Sequence, residues 1–132
     1  MESTRHRILV ADDEEGIRFL WRGALLKPPG AYEVVAVCDG CEALEEISRS
    51  PFDLVITDIW MPEMSGVELT EAIRQSGYQI PVIWFTARGV PNMKKEARRL
   101  GVYCCLHKPL RIDEMRRAVA DALAAPYEEA IT

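Results

Sequence analysis

No apolar run in this chain approaches the length of a membrane span, so no spanning helix and no membrane association are expected. Nor is there a repeat, a linker or a low-complexity segment to divide it. Residues Met1 to Arg7 lead straight into a strand-like run without the apolar h-region of a secretory signal, and the expected compartment is the reducing cytoplasm. Positive charge is in deficit: 16 Lys and Arg face 21 Asp and Glu, a net charge of -5. That balance argues against direct nucleic-acid binding by the domain. Histidine is scarce, and neither His6 nor His107 stands at metal-ligand spacing from other ligands. Neither is assigned a role.

Four cysteines need weighing. Cys38 and Cys41 have CxxC spacing, and Cys104 and Cys105 are adjacent. In an intracellular protein such spacing can mean a metal site or a redox pair. The plainer expectation is four free thiols acting as small, partly buried hydrophobes near sheet edges. A thiol redox protein built on Cys38 and Cys41 would also leave the chain's aspartates without purpose.

What is present is an ordinary globule's composition, 48% hydrophobic and 28% charged, in 132 residues that suit one domain with a real core. Four short apolar runs each end in a reactive polar residue. Ile8 to Ala11 runs into Asp12-Asp13; Leu54 to Thr57 delivers Asp58; Val82 to Phe85 ends at Thr86-Ala87; Val102 to His107 ends at Lys108-Pro109. Between the runs lie helical patterns. Ile17, Leu20, Trp21, Ala24 and Leu25 mark the first, stopped by Pro28-Pro29-Gly30. Asp39 can cap a second through Ala43, Leu44 and Ile47, and Ser65 a third through Leu69, Ala72 and Ile73. Met93, Ala97 and Leu100 mark the fourth, with Gly101 after it; Ile112, Met115, Val119 and Leu123 mark the fifth.

Glu33 to Val37 reads as a further strand, and strict alternation of five strands and five helices predicts an α/β fold, a parallel sheet with helices on both faces. The strand runs are continuously apolar, as strands covered on both sides require. The expected architecture is a doubly wound, flavodoxin-like (βα)5 three-layer sandwich with strand order 2-1-3-4-5. That order puts Asp12, Asp13 and Asp58 at the topological switch point, where such sheets bind ligands.

Carboxylates brought together repel one another unless a cation neutralises them. Hard oxygen donors without imidazole or thiolate suit Mg²⁺. A carboxylate near that metal can attack a phosphoryl group, and an ammonium and a hydroxyl can hold the transferring oxygens. Taken singly, Asp12 and Asp13 could be a helix-capping pair, Asp58 a loop carboxylate and Thr86 a strand-end residue. All of them converging with Lys108 make a phosphate- and metal-handling constellation.

On these motifs the chain closely resembles the receiver domain of two-component response regulators. The matching pieces are Val10-Ala11-Asp12-Asp13-Glu14, Asp39-Gly40 with Glu42-Ala43-Leu44, and Asp53-Leu54-Val55-Ile56-Thr57-Asp58. Met61-Pro62 with Ser65-Gly66, Pro81-Val82-Ile83, Thr86-Ala87 and Lys108-Pro109 complete them. The resemblance implies a receiver unit over residues 1–125 and a short tail over 126–132. It implies that Asp58 accepts a phosphoryl group from a sensor histidine kinase or a histidine phosphotransfer protein. Asp12 and Asp13 would hold Mg²⁺ together with Asp58 and the backbone carbonyl of Trp60. Lys108, in a Lys108-Pro109 bond that is typically cis, would pair with the phosphate. Thr86 would swing in to bond it, Ala87 leaving space for access, and the helix 4–strand 5–helix 5 face would signal to a downstream protein. Such a domain assists its own phosphorylation and dephosphorylation and is not a turnover enzyme. A receiver cut from a longer regulator with DNA-binding or enzymatic output, and a phosphorylation-independent interaction module, are the alternatives.

The chain departs from that family at three places. Cys105 stands where an aromatic partner of Thr86 is usual, with Tyr103 two residues earlier. Trp60, two residues past Asp58, is unusually bulky, and Arg88, two past Thr86, is basic. In receivers those two positions influence how fast phosphoaspartate hydrolyses. Trp60 is expected either to shield the site or to bind a partner. Lys94, Lys95, Arg98 and Arg99 read as a solvated face, or as a basic patch for an acidic partner.

Overall fold

The computed structural model describes residues 5–125; the expected tail, 126–132, lies outside them. Its chain order is β1(His6–Ala11), α1(Glu15–Ala24), β2(Tyr32–Val37), α2(Gly40–Arg49), β3(Leu54–Asp58), α3(Gly66–Gln75), β4(Val82–Thr86), α4(Met93–Arg99), β5(Cys104–His107) and α5(Ile112–Ala124). All four strand pairings are parallel, and the sheet order is β2-β1-β3-β4-β5, as expected. β3 and β4 are buried along their whole length, whereas the edge strands β2 and β5 are mostly half-buried. Continuous apolar runs mark central strands because both faces must be dry.

Alternation along the strands sorts two cores. Ile8, Val10, Leu54, Ile56, Ile83 and Phe85 point to one face and pack with Trp21 and Ala24 of α1 and Met115 and Val119 of α5. Leu9, Ala11, Val55, Val82 and Trp84 point to the other, against Ala43 and Ile47 of α2 and Leu69 and Ile73 of α3. The result is three layers, with α1 and α5 on one side of the sheet.

Local chemistry sets the helix ends. Asp39 caps α2, its side chain accepting from the Glu42 N–H at 2.8 Å. Ser65 and Glu68 form a reciprocal capping box at α3. Gly101 follows α4 at φ 68, in the left-handed region that favours glycine. Three expectations need correction. α1 ends at Ala24, before the Pro28-Pro29-Gly30 stop, and Leu20 lies 40% exposed at the rim of its buried stripe. β5 begins at Cys104, so Tyr103 precedes the strand and is 42% exposed. Ile112, at the start of α5, is exposed too.

Candidate functional site

The site lies at the carboxyl ends of the strands. Register pairs Ala11 with Thr57, Asp58 with Phe85 and Thr86 with His107, so the ends of β1, β3, β4 and β5 stand level. Asp12 leaves β1 directly, Asp58 and Thr86 are the last residues of β3 and β4, and Lys108 follows β5. One carboxylate oxygen from each of Asp12, Asp13 and Asp58 lies within 4.8 Å of the others. Asp12 and Asp58 are buried and Asp13 is exposed, so the cluster has a dry floor and an open side.

Lys108 supplies the countercharge. Its Nζ stands 3.2 Å from Asp58 Oδ2 and 3.3 Å from Asp12 Oδ2. A third contact, 3.3 Å to Glu14 Oε1, was not anticipated from the sequence; the only signal was the acidic residue following Asp12-Asp13. The Lys108-Pro109 bond is cis, as the resemblance implied. Backbone donors complete the floor: Glu14 N–H donates to Asp12 Oδ1 at 2.8 Å and Trp60 N–H to Asp58 Oδ1 at 3.2 Å.

Burial raises the Asp12 carboxyl to about 6, against the opposing Glu14 N–H and Lys108, with Asp58 adding to the rise. Burial raises Asp58 as well, against the Lys108 ammonium and the Trp60 N–H. Burial alone would lower Lys108, but Asp12 and Asp58 outweigh it and its pKa is raised. Asp12 and Asp58 are thus reluctant to ionise even with the Lys108 ammonium beside them.

The close fit of α3 is a further feature. Gly66 N–H donates to Ile59 O at 2.8 Å, and a Cβ built on Gly66 would sit 2.1 Å from the Asp58 carbonyl oxygen. The Ser65-Gly66 pair is recognisable in sequence, but its steric reason is visible only where α3 meets the end of β3.

Among the described residues, the Thr86 hydroxyl bonds to Arg88 and not to the acid cluster. It donates to the Arg88 carbonyl and accepts from the Arg88 N–H at 3.2 Å. The same carbonyl accepts the Trp60 indole N–H at 2.8 Å, and the Arg88 guanidinium lies 5.0 Å from the Trp60 ring centroid. Trp60 is 43% exposed. It is therefore tied to the β4–α4 loop rather than projecting freely.

The cysteines fall at opposite sheet edges. All four are free thiols. Cys104 and Cys105 are half-buried as expected, and burial pushes the Cys104 thiol up to about 11. Cys38 and Cys41 are exposed, contrary to expectation, because they lie at the β2–α2 junction outside the sheet. A hydrogen bond to Glu42 raises the Cys38 thiol, the reverse of what an activated redox thiol needs.

Comparison with known proteins agrees with this geometry. The family model described as response regulator receiver domain matches residues 8–120. The chain belongs to that family. It is 36% identical over 109 residues to the sensor protein EvgS of Escherichia coli strain K12, covering 83% of this chain but 9% of that protein. It is 34% identical over 113 residues to sporulation initiation phosphotransferase F of Bacillus subtilis strain 168, covering 86% of this chain and 90% of that one. The solved chemotaxis response regulator CheY4 of Vibrio cholerae superimposes with a TM-score of 0.80 at 32% identity, covering 90% of this chain and 99% of that one. The chain is thus a two-component receiver domain with the flavodoxin-like fold. No helix of the described residues is long and apolar enough to cross a membrane.

Proposed function

We propose that this receiver is phosphorylated on Asp58 by a histidine phosphodonor, either a sensor histidine kinase or a histidine phosphotransfer protein, and that it needs Mg²⁺ to do so. The observation that carries the reading is the juxtaposition of three carboxylates within 4.8 Å, two of them held by the Lys108 ammonium. Hard oxygen donors around an open side match a small divalent ion that keeps several waters. Asp12, Asp13, Asp58 and the Trp60 carbonyl would hold it. When bound, the metal neutralises charge on the transferring phosphoryl oxygens.

The chain's own residues account for the rest. One Asp58 carboxylate oxygen attacks phosphorus, the P–N bond to the donor's imidazole breaks, and the imidazole leaves with the electron pair and takes up a proton. Lys108, already 3.2 Å from Asp58 Oδ2, pairs with the new phosphoryl charge. Thr86 exchanges its bond to Arg88 for one to a phosphoryl oxygen. The single carboxylate charge gives way to the roughly two charges of an acyl phosphate, a net gain of about one, and this shifts the population toward a state with an altered α4–β5–α5 face, which a downstream protein reads. The donor must cover the mouth of the site, and α1, which begins two residues after Asp13, exposes Phe19 and Leu20 as apolar surface for it. We read the domain as a switch in the cytoplasm without a separate substrate to turn over.

Incubation with phosphoramidate tests the proposal. A gain of one phosphoryl group in Mg²⁺, prevented by EDTA, is the expected result. Equal labelling with and without the metal would refute the Mg²⁺ requirement.

A further inference from the structure

The Thr86 hydroxyl is held within its own loop, its outward state, by two bonds to Arg88. It both donates to and accepts from the backbone of Arg88, closing a small ring within the β4–α4 loop. That loop is fixed from across the mouth, because the Arg88 carbonyl also receives the Trp60 indole N–H at 2.8 Å. The guanidinium of Arg88 lies over the same indole, 5.0 Å from its centroid. Trp60 comes from the loop after β3, two residues past Asp58, so the contact joins the two loops that flank the acid cluster. Inward rotation of Thr86 breaks both of its bonds to Arg88. While the indole grips the Arg88 carbonyl, the loop backbone is prevented from following the hydroxyl toward Asp58.

From this geometry we infer that Trp60 is a positioning residue, a latch whose indole N–H holds the β4–α4 loop and opposes the inward movement of Thr86. Resting on the phosphoacceptor reading above, the inference adds that this receiver's switching threshold is set by one cross-loop hydrogen bond. Its backbone contributions, the N–H to Asp58 Oδ1 among them, are separate from the latch and survive side-chain substitution. Trp60→Phe removes the N–H while keeping an aromatic ring under Arg88. Arg88→Ala removes the stacked cation while keeping the carbonyl.

The test is the affinity for beryllofluoride with Mg²⁺, a phosphoryl mimic, measured on wild type, Trp60→Phe, Arg88→Ala, and each combined with Thr86→Ala. Loss of one net hydrogen bond from the outward state should tighten binding by about threefold to tenfold in Trp60→Phe. Arg88→Ala should act in the same direction and more weakly. In the Thr86→Ala background the effect of Trp60→Phe should vanish, which a general structural role of Trp60 would not produce. By ¹⁵N NMR of the metal-free wild type, the Trp60 indole N–H should be protected from exchange, and Thr86→Ala should leave it protected. Unchanged or weaker beryllofluoride affinity in Trp60→Phe, beside normal binding by wild type, overturns the latch alone. Failure of wild type to bind beryllofluoride overturns the phosphoacceptor reading and the latch with it.

Discussion

The indole N–H of Trp84 donates to the hydroxyl of Thr70 at 2.8 Å, joining β4 to α3 between two side chains that water does not reach. Trp84 is also the register partner of Cys105 on β5. Its anchorage makes it a poor candidate for a large side-chain movement. In the switch proposed above, coupling from Thr86 to the α4–β5–α5 face runs through the backbone of the loop that follows Thr86.

The two fully buried tryptophans should respond differently to the same change. Trp84→Phe loses a satisfied hydrogen bond as well as packing. Trp21→Phe loses packing against Phe85 but also removes a buried indole N–H that has no partner among the described residues. An unsatisfied buried donor costs about 1–3 kcal/mol, so Trp21→Phe should be the milder substitution by roughly that amount. Urea denaturation of both variants checks it; equal losses would mean that the Trp84–Thr70 bond contributes nothing.

Gly66→Ala should harm the site without touching a charged group. The added methyl meets the Asp58 carbonyl and the Ile59 Cα, which are backbone atoms and cannot rotate away. Overpacking of this kind costs about 1–3 kcal/mol. Stability should fall and labelling of Asp58 by a small phosphodonor should slow, because the end of β3 is displaced. Wild-type labelling by Gly66→Ala would show that α3 yields instead.

Metal-free protein should become more stable as the pH falls from about 6 toward 4. Asp12 titrates near 6 when folded, against 3.8 for the ordinary group, so the folded state binds the proton more tightly through that window. The contribution is present below the lower value and lost as the pH rises through the upper one, up to about 3 kcal/mol in all. Mg²⁺ competes with that proton, and its affinity should drop below about pH 6. Denaturation curves in EDTA and in Mg²⁺ at pH 4.5 and 7 check both signs. Stability in EDTA that rises with pH across this window would contradict the buried-carboxylate description.

Much of this is legible in the sequence. Ile8 to Ala11, Leu54 to Thr57 and Val82 to Phe85 read as buried strands because a central parallel strand must be apolar on both faces, and the order 2-1-3-4-5 is the one that brings Asp12, Asp13 and Asp58 to the switch point. Asp12, Asp13, Asp58 and Lys108 were found because each stands at a strand end, a place fixed by chain order. What escaped depends on contacts between segments distant in sequence. The Trp60–Arg88 tie joins loops 28 residues apart, and no periodicity reports a loop-to-loop hydrogen bond. Leu20 and Ile112 have helical spacing yet sit at the rims of their helices, where the apolar stripe meets water. Cys38 and Cys41 were misplaced because composition does not distinguish a sheet edge from the turn just past it.

The central claim, that Asp58 receives the phosphoryl group, is tested most directly by intact mass after incubation with acetyl phosphate and Mg²⁺, with borohydride trapping to locate the acyl phosphate. Wild type should gain one phosphoryl group, trapped as homoserine at position 58. Asp58→Asn should gain none while keeping the far-ultraviolet circular dichroism of the fold. Labelling of Asp58→Asn equal to wild type would contradict the assignment and place the acceptor elsewhere.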